Sequence, residues 1–203
     1  MSDTAHHLKF KTPSTWVTRF AHLAPKNGSS GGRVLDLAAG GGRHARHFHA
    51  LGHPVMAADK DVSALADLAR EDRAEIVEID LEDGKPWPFD AESFAAIVVS
   101  NYLFRPHFEG LTASLEPGGV LLYETFARGN EAFGRPRNPD HLLKSGELLD
   151  LVRGRLQVVA YEHGRSDEAP PGVKQRLCAV NDLALSARND GEPTPHLLAP
   201  PQD

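Results

Sequence analysis

The chain is poor in the residues that staple or anchor a protein. Its one cysteine, Cys178, can form no internal disulfide and build no cysteine metal cluster. No apolar run approaches the ~20 residues needed to cross a bilayer, and the polar N-terminus has no signal-peptide core. Positive charge is the minority sign: 22 Lys and Arg against 28 Asp and Glu leave a net charge of −6. That balance argues against a broad phosphate-tracking surface, and so against nucleic acid as a partner. Internal repeats are missing too. What is present is ordinary, with 40% hydrophobic and 25% charged residues in a 203-residue chain. Such a composition and length suit one globular domain, expected to be soluble and cytoplasmic.

The hydrophobic pattern alternates between two periods. Trp16, Phe20 and Leu23 recur at helical spacing after Ser14, a candidate N-cap, and read as core. Asn27 to Gly32 is flexible punctuation before a strand, Arg33 to Leu37, that runs into Ala38-Ala39-Gly40-Gly41-Gly42. A helix from Arg43 to Gly52, a strand at 54–58 and a helix capped by Asp61, with Val62, Leu65, Leu68 and Ala69 on its apolar face, follow. Further strands are expected at 75–80, 94–100 and 120–126. A short helix from Glu109 stops at Pro117-Gly118-Gly119, and Ser145 caps another helix. The final strands, 156–162 and 176–182, are joined by a link too short for a crossover helix, so they should be antiparallel. The expectation is an α/β, doubly wound, Rossmann-like, seven-stranded and mostly parallel sheet with an antiparallel final strand. The domain should span residues 12–185, with 186–203 as a flexible, proline-rich C-terminal tail.

The segment Val34-Leu35-Asp36-Leu37-Ala38-Ala39-Gly40-Gly41-Gly42 carries the chemistry. A strand that ends in a glycine turn and opens a helix lets backbone N–H groups approach a ligand closely. Read literally, Gly40-x-Gly42-x-x-Ala45 is the dinucleotide fingerprint of a nicotinamide-dependent oxidoreductase. Three acids turn the reading elsewhere. Asp36 lies within the first strand, where its carboxylate can face an ammonium group. Asp59 ends the second strand, where an acid can accept both ribose hydroxyls. Asp80 ends the third, where it can bracket an adenine edge with the next backbone N–H. A nucleoside fits such a trio better than a pyrophosphate does.

On these residues the chain resembles the class I S-adenosylmethionine-dependent methyltransferases, over roughly Trp16 to Asp182. Asp36, Ala38, Gly40 and Gly42 match the family's acidic-x-Gly-x-Gly-x-Gly, with Ala38 in place of the first glycine. Within the family it is similar to small bacterial enzymes of the tellurite-resistance-like and generic small-molecule type. The resemblance implies S-adenosyl-L-methionine as cofactor and S-adenosyl-L-homocysteine as product. It implies a cofactor site of Asp36, Ala38, Ala39, Gly40, Gly42, Asp59, Lys60, Asp80, Leu81, Ser100, Asn101 and Tyr102.

The acceptor is expected to be a small molecule, methylated by in-line displacement. Candidates for catalytic duty are Tyr102, Arg105, His107, His141, Arg135 and Arg137. Arg105, Arg128, Arg135 and Arg137 follow the fourth and fifth strands at the sheet's ligand edge, which suits an anionic acceptor. His44, His47, His49 and His53 lack the acidic or cysteine partners of a metal site, so no metal is expected. Two other classes remain: a nucleoside-binding regulatory protein on the same fold, and the NAD(P)-dependent oxidoreductase.

Overall fold

The computed structural model describes residues 11–185 and 188–199. Ser14 does cap the first helix: its Oγ accepts the Trp16 N–H at 3.2 Å. This helix, α1 (Thr15–Phe20), buries Trp16, Val17 and Phe20, and the Trp16 indole donates to the Leu177 carbonyl at 3.1 Å. Seven strands form one sheet: β1 (Val34–Leu37), β2 (Val55–Asp59), β3 (Ala74–Glu78), β4 (Phe94–Ser100), β5 (Leu115–Phe126), β6 (Gln157–Ser166) and β7 (Gly172–Val180). Their spatial order is β3-β2-β1-β4-β5-β7-β6. The first five are mutually parallel, and β7 runs antiparallel to both β5 and β6. The expected doubly wound sheet with an antiparallel closing strand is the sheet that forms.

Period two along the strands makes the two faces. Val34, Ala96, Val98, Val120, Leu122 and Cys178 point to the side packed by α1 and by α2 (Arg43–Ala50). Leu35, Leu37, Ile97, Val99, Leu121, Tyr123 and Leu177 point to the other side, under α3 (Phe108–Ala113) and α4 (Glu147–Val152). Both faces are covered, which explains why β4 reads as a nearly unbroken apolar run.

Several local expectations change. The helix expected after Asp61 is only two 3₁₀ turns, Ser63–Leu65 and Leu68–Arg70. Its apolar residues Leu65 and Leu68 are still buried. Arg46, however, donates to the Ala64 carbonyl at 3.0 Å and binds the Asp67 carboxylate, so a carbonyl that a helix would use is already taken. Pro117-Gly118-Gly119 does not precede the fifth strand but lies inside β5, at an irregularity in its pairing with β4. A Cβ on Gly119 would sit 2.9–3.3 Å from three backbone carbonyl oxygens, so the bulge requires glycine. Gly146, at φ +76°, and not Ser145, caps α4. The closing hairpin is longer than expected, its strands consuming most of the turn-rich link.

Beyond the sheet, His196 pairs with Asp182 at 2.7 Å, and the Leu197 and Leu198 carbonyls accept from His22 and Arg19. The ends of the expected tail, 186–187 and 200–203, lie outside the described residues. No helix among the described residues is long and apolar enough to cross a membrane.

Candidate functional site

In an open α/β sheet the ligand crevice opens at the carboxyl ends of the strands, where the order reverses. Here the reversal falls between β1 and β4. The turn after β1 is strained in a regular way: Ala38, Gly40 and Gly42 have φ of 54°, 52° and 69°. Ala38 is a residue with a side chain held in the left-handed region, a conformation that costs about 1 kcal/mol. Gly42 has a packing reason to be glycine, since a Cβ there would lie 2.4 Å from Leu65 Cδ2.

The strand-end acids take different roles. Asp36 is 2% exposed. Its Oδ2 accepts the Ala45 N–H at 2.9 Å in the first turn of α2, and its Oδ1 lies 3.8 Å from His44 Nδ1. The Ser14 N–H donates to His44 Nε2 at 3.3 Å, so the ring's proton sits on Nδ1, facing the carboxylate. Asp36 thus fastens α2, and through His44 the start of α1, to the strand. Asp59 is only partly buried. Its Oδ2 accepts the Gly40 N–H at 2.7 Å and its Oδ1 the Asp61 N–H at 3.0 Å, which leaves lone pairs toward the crevice. Lys60 beside it is exposed, and Ala39 is buried beneath the turn. Asp80 is exposed and its Oδ1 accepts the Glu82 N–H, while Leu81 is buried.

After β4, Asn101 adopts φ 57° and donates its N–H to the Glu124 carbonyl at 2.9 Å. Its Oδ1 is buried with no hydrogen-bond partner. The neighbouring Tyr102 phenol is pushed above its ordinary pKa by burial, then by the Glu82 carboxylate, so it stays protonated. The other candidates sit further off. His107 is buried, donates Nε2–H to the Leu81 carbonyl at 2.7 Å, and packs against Trp87 and Phe104. It orients the loop after Asp80. Arg105 grips Glu147 and the Asp140 and Leu142 carbonyls, tying the segment after β4 to α4. Arg128 pairs with Glu131, while Arg135, Arg137 and His141 are exposed. Of the other histidines, His53 donates to the Gly32 carbonyl and His49 contacts the Asp72 carbonyl.

Sequence reasoning missed a polar row across four strands, buried at Glu124 and exposed at Glu162. In register, Ser100 on β4 faces Glu124 on β5, Arg176 on β7 and Glu162 on β6. Arg43, at the start of α2, donates to Ser100 Oγ at 3.0 Å, and Ser100 donates to Glu124 Oε1 at 3.0 Å. Glu124 lies 3.4 Å from Arg176, which also reaches Glu168 at 2.7 Å. Burial pulls the Arg43 pKa below its ordinary value, against the raising effects of Glu124 and Asp36. The available signal was polar residues placed at the ends of otherwise apolar strands, as in Glu124-Thr125 and Lys174-Gln175-Arg176.

Residues 34–119 match the model of a methyltransferase domain. A curated relative, demethylmenaquinone methyltransferase from Clavibacter sepedonicus, is 36% identical over 107 residues, covering 48% of this chain and 42% of that protein. The matched part is therefore less than half of that relative's length. Among solved structures, a SAM-dependent methyltransferase from Aquifex aeolicus superposes with a TM-score of 0.60 at 15% identity, over 89% of this chain and 100% of that one. A second, 1,6-didemethyltoxoflavin-N1-methyltransferase from Burkholderia thailandensis, was solved with bound 1,6-didemethyltoxoflavin and S-adenosylhomocysteine. It gives 0.60 at 18% identity, over 89% of this chain and 80% of that one. At such identities the structures speak for the fold alone, and the domain match adds the sequence of the crevice to it. Residues 34–119 are thus similar in sequence to a methyltransferase domain, and the sheet that carries them has the fold of S-adenosylmethionine-dependent methyltransferases.

Proposed function

We propose that this chain transfers the methyl group of S-adenosylmethionine to a small-molecule acceptor. The observation that carries the reading is the pairing, at the β1/β4 reversal, of a half-buried carboxylate with an unsatisfied amide. Asp59 keeps lone pairs for a vicinal diol, and Asn101 Oδ1 is a buried acceptor awaiting a donor. Both fit a nucleoside, and the positive-φ turn at Ala38 to Gly42 brings backbone close beside them. Asp59, Asn101 and the loop at Leu81 would hold the cofactor, and Asp36 would keep the turn in shape from beneath. Bound there, the cofactor supplies an activated methyl and its own leaving group.

The chain's own residues then have little covalent work. They orient the reactants and exclude water, which is where most of the barrier reduction in such a displacement originates. Tyr102, held protonated, can donate a hydrogen bond but is no base at neutral pH. His107 is committed to the Leu81 carbonyl, so the reading assigns it loop positioning rather than proton transfer. The acidic balance of the chain supports a small acceptor over nucleic acid. A cytoplasmic setting accords with the single, buried thiol of Cys178.

The test is incubation of the chain with methyl-labelled S-adenosylmethionine and a cell extract, with the labelled product identified by mass. Label in a small molecule supports the reading. Tight S-adenosylhomocysteine binding without transfer to any component points instead to a nucleoside-binding regulator.

A further inference from the structure

Several cations at the ligand edge are matched by carboxylates. Arg176 meets Glu124, Glu162 and Glu168, Arg105 meets Glu147, and Arg128 meets Glu131. Lys174 has no such partner. It lies on β7 opposite Phe126, one step nearer the ligand edge than the pairing of Arg176 with Glu124. It is 4% exposed, and its ammonium sits over the Phe126 ring at 5.4 Å. It makes no hydrogen bond or ion pair with the described residues. A buried ammonium with no hydrogen bond or direct ion pair is costly, and a perturbed buried cation lining a pocket points to a ligand site. Burial lowers the Lys174 pKa, Arg176 and Arg43 add to that pull, and the more distant Glu124 and Glu168 carboxylates oppose it.

Lys174 also has somewhere for a ligand to go. With Glu162, His163, Arg165, Ser166 and Arg176 it lines a pocket of about 200 Å³ at the end of the β6–β7 hairpin, in which the Glu162 carboxylate is already paired with Arg176. That is below the ~300–1,000 Å³ of a site for a drug-sized molecule, and suits one end group of an acceptor. The polar row Ser100–Glu124–Arg176 connects this pocket to Arg43 beside the glycine turn.

We propose that Lys174 is the specificity residue for the acceptor, binding a carboxylate or phosphate group that the acceptor presents in the pocket at the end of the β6–β7 hairpin. This rests on the methyltransferase reading. It also moves the anion-binding role away from Arg105 and Arg128, whose guanidinium groups already hold carboxylates of the chain itself. An ammonium is the fitting group here, since it meets either oxyanion as a point charge without demanding a planar partner.

The test uses the full chain saturated with S-adenosylhomocysteine, with lysine ¹³C-labelled at Cε and the Lys174 resonance assigned through Lys174→Arg. It is titrated with sodium phosphate, sodium malonate and neutral malonamide at constant ionic strength. The expected result is a saturable shift of Lys174 with one or both anions, at a Kd on the order of 1 mM, and none with malonamide. Which anion saturates separates a phosphate-bearing from a carboxylate-bearing acceptor. Calorimetry should show anion binding weakened at least ~10-fold in Lys174→Met and retained in Lys174→Arg. If Lys174→Met does not fold, the Lys174 resonance of the parent chain decides alone. The proposal is overturned if neither anion shifts Lys174 saturably below about 50 mM, or if anion binding persists undiminished in folded Lys174→Met. Failure of the chain to bind S-adenosylhomocysteine at the outset would defeat the methyltransferase reading, a result distinct from loss of the anion response.

Discussion

Asp36 and Asp59 are the same residue type at neighbouring strand ends, and their surroundings give them separate jobs. Asp59 keeps lone pairs toward the crevice, whereas Asp36 is sealed under α2. Replacing Asp59 by Ala should therefore weaken S-adenosylhomocysteine binding by roughly ten- to a hundred-fold, read by calorimetry on a variant whose circular dichroism shows it folded. Asp36→Ala should act on stability instead. It strands the Ala45 N–H in a buried site, at a cost of about 1–3 kcal/mol in denaturant titration. The same residue-level logic applies to Gly42. At φ +69°, with Leu65 2.4 Å from the missing Cβ, Gly42→Ala should lower stability by about 1–3 kcal/mol through overpacking and backbone strain. A Gly42→Ala variant as stable as the parent would show that the turn relaxes freely.

Among the elements, the short ones depend most on tertiary partners. Residues 61–70 carry a helical apolar spacing, yet the Arg46 guanidinium on the Ala64 carbonyl and the burial of Leu65 and Leu68 settle them as two single turns. The segment after β4 is joined to α4 by Arg105, which binds Glu147 and two backbone carbonyls at once. Arg105→Met should leave Glu147 and both carbonyls short of a donor and cost about 1–2 kcal/mol, measured as a lowered denaturant midpoint. The C-terminal stretch is a contrasting case. Its contacts are few: His196 with Asp182, and the Leu197 and Leu198 carbonyls with His22 and Arg19. Truncation after Leu185 should thus shift the melting temperature by only a few degrees, equivalent to less than about 1 kcal/mol.

For the molecule as a whole, pH acts through histidines that fold neutral. His47 and His53 have pKa values lowered chiefly by burial, against an unfolded value near 6.5. Below about pH 6.5 the unfolded chain takes up protons that the folded one refuses, so stability is full above that pH and falls as pH drops through the lowered folded values. Each group contributes a slope of at most ~1.4 kcal/mol per pH unit. A His53→Asn variant should show a shallower loss between pH 6.5 and 5 in urea titrations.

The sheet at the centre of the molecule was legible in the sequence because it rests on local signals. Strand period, glycine punctuation and a closing link too short for a helix are carried by residues near one another along the chain. So were Asp36 within β1 and Asp59 at the end of β2, whereas Asp80, expected to end the third strand, lies two residues beyond β3. Side-chain direction at those ends was not legible. Whether Asp36 faces a ligand or the Ala45 N–H depends on how α2 seats on the sheet, and His107 and Arg105 find partners 26 and 42 residues away. The polar row from Arg43 through Ser100 and Glu124 to Arg176 joins four segments spread over 134 positions. Sequence alone determined the strand pattern, the glycine turn and its acids, because each is written within one short segment. The tertiary structure decided which charges meet, and that Lys174 is buried without an ion pair among the described residues, because strand register and helix seating bring together residues that are distant in the chain.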